Sequence, residues 1–158
     1  MTAIPVQAER VRAAAAALGL AIEVKLVPAS TRSAQEAAQV VGVAVGRIVK
    51  SLVFKGKQTG AAYLILVSGS NRVNESALEP LLGEAVERPD AAFVREATGY
   101  AIGGIPPIGL PRPVRTLMDR DLLQYETVWA AAGTPHAVFE AVPGALGQAI
   151  AAEIVAIT

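Results

Sequence analysis

The spacing of apolar residues changes several times along the chain, and each change marks an element. Ile4, Val11, Ala15 and Leu18 recur on one helical face, Gln7, Glu9, Arg10 and Arg12 lie elsewhere, and Gly19 supplies a stop, so a first helix is predicted. Ile22, Val24 and Leu26 then alternate with Glu23 and Lys25, the period of a half-buried strand, until Pro28 ends it. Ser33 and Glu36 have capping-box spacing ahead of an apolar stripe of Ala34, Ala37, Ala38 and Val41, and Gly42 closes this second helix. The run GRIVKSLVFKG at 46–56 and the run AAYLILVSG after it are continuous apolar strands, and the glycine-bounded turn at 56–60 predicts that they pair antiparallel. Asn74 can cap a helix that Pro80 should interrupt, giving two short helical turns, while Asp90, Phe93, Ala97 and Gly99 have the spacing of another capped helix. Past residue 100 the pattern reads as strands around Ala101 and at 114–118, 125–131 and 136–142. A weak helix follows Pro143, and a last strand occupies 154–157. Short helices among antiparallel strands predict an α/β fold with a mixed, mostly antiparallel, barrel-like sheet in a single domain over 1–158, rather than a doubly wound parallel sheet.

One residue breaks the pattern. Alternation puts Lys50 on the same strand face as Ile48, Leu52 and Phe54, whereas Arg47, Lys55 and Lys57 sit near strand ends where water is available. An unpaired buried ammonium is costly, so Lys50 must reach outward, pair with a carboxylate, or await an anionic ligand.

Composition limits the chemistry. The 158 residues are 53% hydrophobic, yet no apolar run nears the roughly 18 residues that a membrane-crossing helix requires. The stretch MTAIPVQAERVR carries both signs of charge and no long apolar core, unlike a signal peptide, and a cytoplasmic protein is expected. Fourteen basic residues balance fourteen acidic ones, so nucleic-acid binding would have to come from a local patch, for which Arg32, Arg47, Lys50, Lys55 and Lys57 are the candidates. With no cysteine and one histidine there is little basis for a thiolate nucleophile or a transition-metal site, and no metal or cofactor is expected. The chain has no G-x-S-x-G elbow and no phosphate-binding glycine fingerprint, and the prolines of GYAIGGIPPIGLP, 99–111, forbid the helix a dinucleotide site would need. That segment reads either as a tight connection or as a rigid edge of backbone donors. Combined with a cation such as Lys50, it suits an oxygen-rich ligand: a phosphate, a carboxylate or an ester carbonyl.

Four blocks in order, the run from Thr31 through EAAQVVGVAVGRIVKSLVFK, then SGSNRVNESAL, REATGYAIGGIPPIG and GTPHAVFEA, resemble the YbaK/ProX family of aminoacyl-tRNA deacylases. These are relatives of the editing domain inserted in bacterial prolyl-tRNA synthetase. The resemblance covers nearly the whole chain. It implies a single editing domain and a freestanding trans-editing hydrolase that cleaves the ester of a mischarged tRNA, foremost tRNA-Pro carrying a small non-cognate residue such as alanine, serine or threonine. The acceptor end of aminoacyl-tRNA and prolyl-tRNA synthetase are the implied partners, with no membrane. The family's lysine falls on Lys50, and its catalytic diglycine on Gly103 and Gly104, followed by Ile105, Pro106 and Pro107. Thr31 and Ser51 match polar positions of the pocket, while Gly133, Thr134 and His136 fall on a turn that borders it. Asp119 is expected either to orient Lys50 or the loop, or to cap a short helix.

The family implies a reaction without a protein base, in which a substrate hydroxyl or a bound water attacks while the protein positions the ester and stabilises the oxyanion. Pro106 stands where cysteinyl-specific members carry serine in G-G-x-S-P-x-G, a departure from that subgroup. Two other readings stay open: a non-catalytic module that binds a tRNA end or an adenylate beside a synthetase, and a serine hydrolase pairing Ser51 or Ser70 with His136.

Overall fold

The computed structural model describes residues 4–28 and 30–158; the expectations for 1–3 and for position 29 lie outside these. The elements in chain order are α1 (Val6–Ala17), β1 (Val24–Leu26), α2 (Ala34–Val41), β2 (Val49–Gly56), β3 (Ala62–Ser68), α3 (Glu75–Leu82), β4 (Val86–Glu87), α4 (Ala91–Thr98), β5 (Arg115–Asp119), β6 (Val128–Ala131), β7 (Ala137–Ala141), α5 (Pro143–Ala149) and β8 (Glu153–Val155), with single 3₁₀ turns at Val45–Arg47 and Arg120–Gln124. No helix among the described residues is long and apolar enough to cross a membrane.

The local chemistry behind the helices is visible at their ends. Ser33 Oγ accepts from Glu36 N, Asn74 Oδ1 from Ser76 N and Asp90 Oδ1 from Phe93 N, so three helices start on side-chain caps. The same helices stop at Gly42, Gly83 and Gly99, all with left-handed backbones. Pro80 does not split its helix as its type predicts. α3 runs unbroken through it, because the hydrogen bond it forfeits would have gone to exposed Ser76 and the helix ends two residues later. No strand forms around Ala101, where the backbone turns instead, and the two-residue β4, absent from the sequence pattern, pairs with the end of β2.

The strands form two sheets, one ordered β1-β7-β6 and one ordered β4-β2-β3-β5-β8. All pairs are antiparallel except β3 with β5 and β5 with β8. The sheet expected to be barrel-like is therefore an open pair, stitched by an isolated parallel bridge between Ile48 and Trp129. Alternation on β2 sorts its residues: Val49 and Val53 face a core with Leu64, Leu66, Met118 and Phe139, whereas Leu52 and Phe54 face one with Ile65, Val67 and Leu78. β3 is buried along nearly its whole length because it is flanked by strands on both edges and covered on both faces.

Glu84 locks the β2–β3 turn. It accepts from Gln58 N and Thr59 N at 2.9 and 3.1 Å, and from the Thr59 and Tyr63 hydroxyls at 2.6 Å each. A Cβ on Gly56 would lie 2.4 Å from the same carboxylate, so this position must be glycine for the lock to close. The hydroxyls of Thr59 and Tyr63, with the amides, hold the Glu84 carboxyl at about 2, below its ordinary 4.5. The unfolded chain therefore binds this proton more readily than the folded one. The stabilisation is complete above pH 4.5 and disappears as pH falls towards 2. Urea unfolding across that acid window should show falling stability in the parent, and Glu84→Gln should be less stable at neutral pH and lose much of the acid dependence.

Candidate functional site

A cavity of about 290 Å³ opens between the first turns of α2, the start of β2, the 102–105 loop and β6. Its walls contain Thr31, Lys50, Ser51, Gly103 and Ile105 among the residues singled out in the sequence, and also Trp129, which the sequence reading did not select. The available signal was a lone tryptophan in a strand otherwise built of valine and alanine. Gly104, Pro106, Pro107, Gly133, Thr134 and His136 do not line the cavity.

Lys50 is half-buried and enters no ion pair among the described residues. Its Nζ donates to the backbone carbonyl of Asn71 at 2.5 Å. Burial pushes the ammonium below its ordinary value, the nearby Arg72 and Arg88 push the same way, and Asp119 pulls against them. The first of the three fates open to this lysine, snorkelling outward, is realised only in part: the nitrogen is tethered to a neutral oxygen and keeps two N–H donors free for an anion.

The tether is itself held. Asn71 Nδ2 donates to Asp119 Oδ2 and to Asp121 Oδ2, both at 2.8 Å. Asp119, 1% exposed at the end of β5, also accepts from Ser68 N on Oδ2 and from Asp121 N on Oδ1. Asp119 caps the 3₁₀ turn Arg120–Gln124, and it bears on Lys50 through Asn71, whose carbonyl receives the ammonium; it makes no hydrogen bond to the diglycine loop among the described residues.

The diglycine loop is tight for two separate reasons. Gly104 N donates to Ala101 O at 3.1 Å, closing a turn whose third residue, Gly103, has φ +95, a backbone that side chains other than glycine's resist. Gly104 needs no left-handed backbone, but a Cβ there would stand 2.8 Å from Thr134 Cα. The 133–136 turn thus lies behind the loop as a buttress. Thr31 ties that turn to the entrance of α2, its N and Oγ1 both donating to Pro135 O at 2.8 and 2.6 Å. The Gly104 amide is consumed within the turn, whereas the Gly103 and Ile105 amides donate to no acceptor among the described residues.

Other expectations meet the geometry less well. Arg47 is spent on Thr127, donating to its carbonyl and hydroxyl at 3.0 and 2.6 Å, and Lys55 lies over the Phe93 ring, so the basic patch at the cavity reduces to Arg32 and Lys50. Ser51 Oγ has no hydrogen-bond partner and Ser70 Oγ sits 3.2 Å from Ser68 Oγ, so neither hydroxyl is paired with His136 and the serine-hydrolase arrangement is absent among the described residues. Among the described residues the cavity walls contain no carboxylate and no imidazole.

The aminoacyl-tRNA editing domain model matches residues 28–148. The chain belongs to this family. A solved structure described as a candidate trans-editing enzyme for prolyl-tRNA synthetase shares 45% identity with this editing domain at TM-score 0.92, covering 99% of each chain. EbsC of Enterococcus faecalis, named as a candidate Cys-tRNA(Pro)/Cys-tRNA(Cys) deacylase, is 30% identical over 72% of this chain and 70% of its own. A proline–tRNA ligase of Thermoanaerobacter is 33% identical over 60% of this chain, a match that spans 17% of the ligase.

Replacing Asp119 with asparagine leaves its three donors with one weakened acceptor and removes the charge that favours the Lys50 ammonium. Unfolding in urea should show a loss of about 1–3 kcal/mol, and the Lys50 Cε resonance should titrate at lower pH than in the parent.

Proposed function

We propose that this editing domain is a freestanding deacylase that hydrolyses the ester joining a small, wrongly attached amino acid to the 3′ end of tRNA, with tRNA-Pro as the leading substrate. The observation that carries the reading is the half-buried Lys50, in no ion pair among the described residues, in the wall of a cavity shared with Gly103 and Ile105, in a chain of this family. A cavity of about 290 Å³ sits at the lower end of the ~300–1,000 Å³ typical of small-ligand sites, the right scale for an aminoacyl group.

The chemistry follows from what lines the walls. A water, assisted by a hydrogen bond to the neighbouring ribose hydroxyl, attacks the ester carbonyl carbon; the C–O bond to the ribose breaks, the ribose oxygen takes up the proton that the water gives up, and free amino acid leaves. Among the described residues no carboxylate or imidazole lines the cavity to act as base, and the substrate and solvent carry the protons. Lys50 holds a phosphate or the developing negative charge through a charge-assisted hydrogen bond. The Gly103 and Ile105 amides are the loop donors available to the oxyanion, since that of Gly104 already serves Ala101. Gly104, Pro106, Pro107, Gly133, Thr134 and His136 act from behind, keeping the loop in one conformation, and Thr31, in the cavity wall, ties the 133–136 turn to α2. Placement of the reacting groups by a stiff loop is worth orders of magnitude in rate without any acid–base side chain.

Arg32 and Lys50 form too small a basic area to grip the body of a tRNA, so recognition centres on the acceptor end, with prolyl-tRNA synthetase as the source of mischarged substrate.

The test is a deacylation panel with alanyl-, seryl-, threonyl- and cysteinyl-tRNA(Pro) alongside correctly charged prolyl-tRNA. Release of one or more of the small residues, with proline spared, is expected, and Lys50→Ala should reduce the rate roughly 100-fold, the scale of removing one oxyanion-stabilising donor. Saturable binding of the charged tRNAs with no release would instead make the domain a non-catalytic binding module.

A further inference from the structure

Two strands border the cavity and part from each other along it. β2 and β6 run parallel where the isolated bridge joins Ile48 to Trp129, and no second bridge follows. Yet Val49, Lys50 and Ser51 of one strand and Trp129, Ala130 and Ala131 of the other all line the cavity. The cavity therefore occupies the fork between them.

The strand registers show which backbone groups turn into that fork. At the two ends of the β2–β3 ladder, Gly56 N donates to Ala61 O at 2.9 Å and Gly69 N to Ile48 O at 2.8 Å. Even-numbered residues of β2 thus bond to β3, and odd-numbered ones turn their N–H and C=O to the other edge. That edge is filled by β4 at Lys55 and by β6 at the bridge, and it lies open at Ser51. On β6, Ala132 N donates to Ala137 O at 2.8 Å, so the even residues bond to β7 while Trp129 and Ala131 face β2. The next rung of the parallel ladder would join Val49 O to Ala131 N and Ala131 O to Ser51 N. It is not made, and none of these four groups has another hydrogen bond among the described residues.

The unmade rung defines the chemistry it can take. A carboxylate or phosphate would set its own oxygens against Val49 O and Ala131 O, and a hydrocarbon would leave all four groups without partners. An amine meets them: its N–H bonds reach two oxygens, and in the uncharged form its lone pair accepts from an amide. The charged residues in the walls are Arg32 and Lys50, both cations, so among the described residues no carboxylate is there to receive an amine in place of the backbone.

We propose that the fork between β2 and β6 is the subsite for the α-amino group of the aminoacyl ester, which donates to Val49 O and Ala131 O. This rests on the deacylase reading for the identity of the ligand. It assigns the backbone of two strands to the group that every aminoacyl ester carries, whatever its side chain.

The experiment uses two non-hydrolysable ligands, 3′-alanylamino-3′-deoxyadenosine and its propionyl counterpart, which differs only in lacking the amine, each titrated into the full chain by calorimetry. The alanyl compound should bind about ten-fold tighter, the scale of recovered hydrogen bonds. In amide NMR spectra the alanyl compound, and not the propionyl one, should shift the Lys50 and Ala132 resonances, since these amides follow the two accepting carbonyls in the chain. Ser51→Pro and Ala131→Pro each remove an N–H that neither ladder uses and place ring carbons in the fork, so the β3 and β7 pairings survive. Each should bring the alanyl-to-propionyl affinity ratio towards one. Equal affinities in the parent, no saturable binding of either compound, or Lys50 and Ala132 amides that respond alike to both overturns the proposal, as does a ratio unchanged in a folded proline variant. Should neither variant fold, the two amide resonances decide. Amine-dependent binding in a protein that releases nothing from any charged tRNA would sink the hydrolytic reading and leave this one standing.

Discussion

The buried carboxylate of Asp119 is the constraint on which the cavity's charged wall depends. It gathers Ser68 N, Asn71 Nδ2 and Asp121 N, which joins the ends of β3 and β5 to the loop between β3 and α3. That loop presents the Asn71 carbonyl to Lys50. An ammonium on an apolar strand is tolerable when a fixed oxygen accepts a hydrogen bond from it and its side chain borders a cavity. Here the oxygen is neutral, so the cation is not cancelled within the protein, and its charge remains to be used.

The opposite wall is built by exclusion of atoms rather than by attraction. Gly103 is demanded by the sign of its φ, and Gly104 by the Thr134 backbone pressed against it. These are different constraints on adjacent residues, and together they leave the 102–105 loop little freedom to move away from β2. Thr31 completes the arrangement by pinning the 133–136 turn to the entrance of α2. Positioning of this kind is what the proposed hydrolysis, with no acid–base side chain, would rely on.

Much of this was legible in the chain itself. The caps at Ser33, Asn74 and Asp90, the glycine stops, and the β2–β3 hairpin follow from local rules: hydrogen bonds within a few residues and backbone angles that glycine alone adopts cheaply. Lys50 stood out because a charge interrupts an apolar period. What could not be read were relations between distant segments. The pattern cannot distinguish a closed barrel from two sheets stitched at Ile48 and Trp129, because alternation reports which face of a strand is buried and not which strand lies beside it. Pro80 reads as a break because the rule presumes that the lost hydrogen bond matters, and here its acceptor lies in solvent. Arg47 reads as a cation for nucleic acid until Thr127, eighty positions away, is seen to occupy it. Residue types and short-range spacing set the elements and marked the lysine; tertiary packing alone chose its neighbours, since hydrogen bonds and cavities are made between atoms in space and carry no signature in the order of the chain.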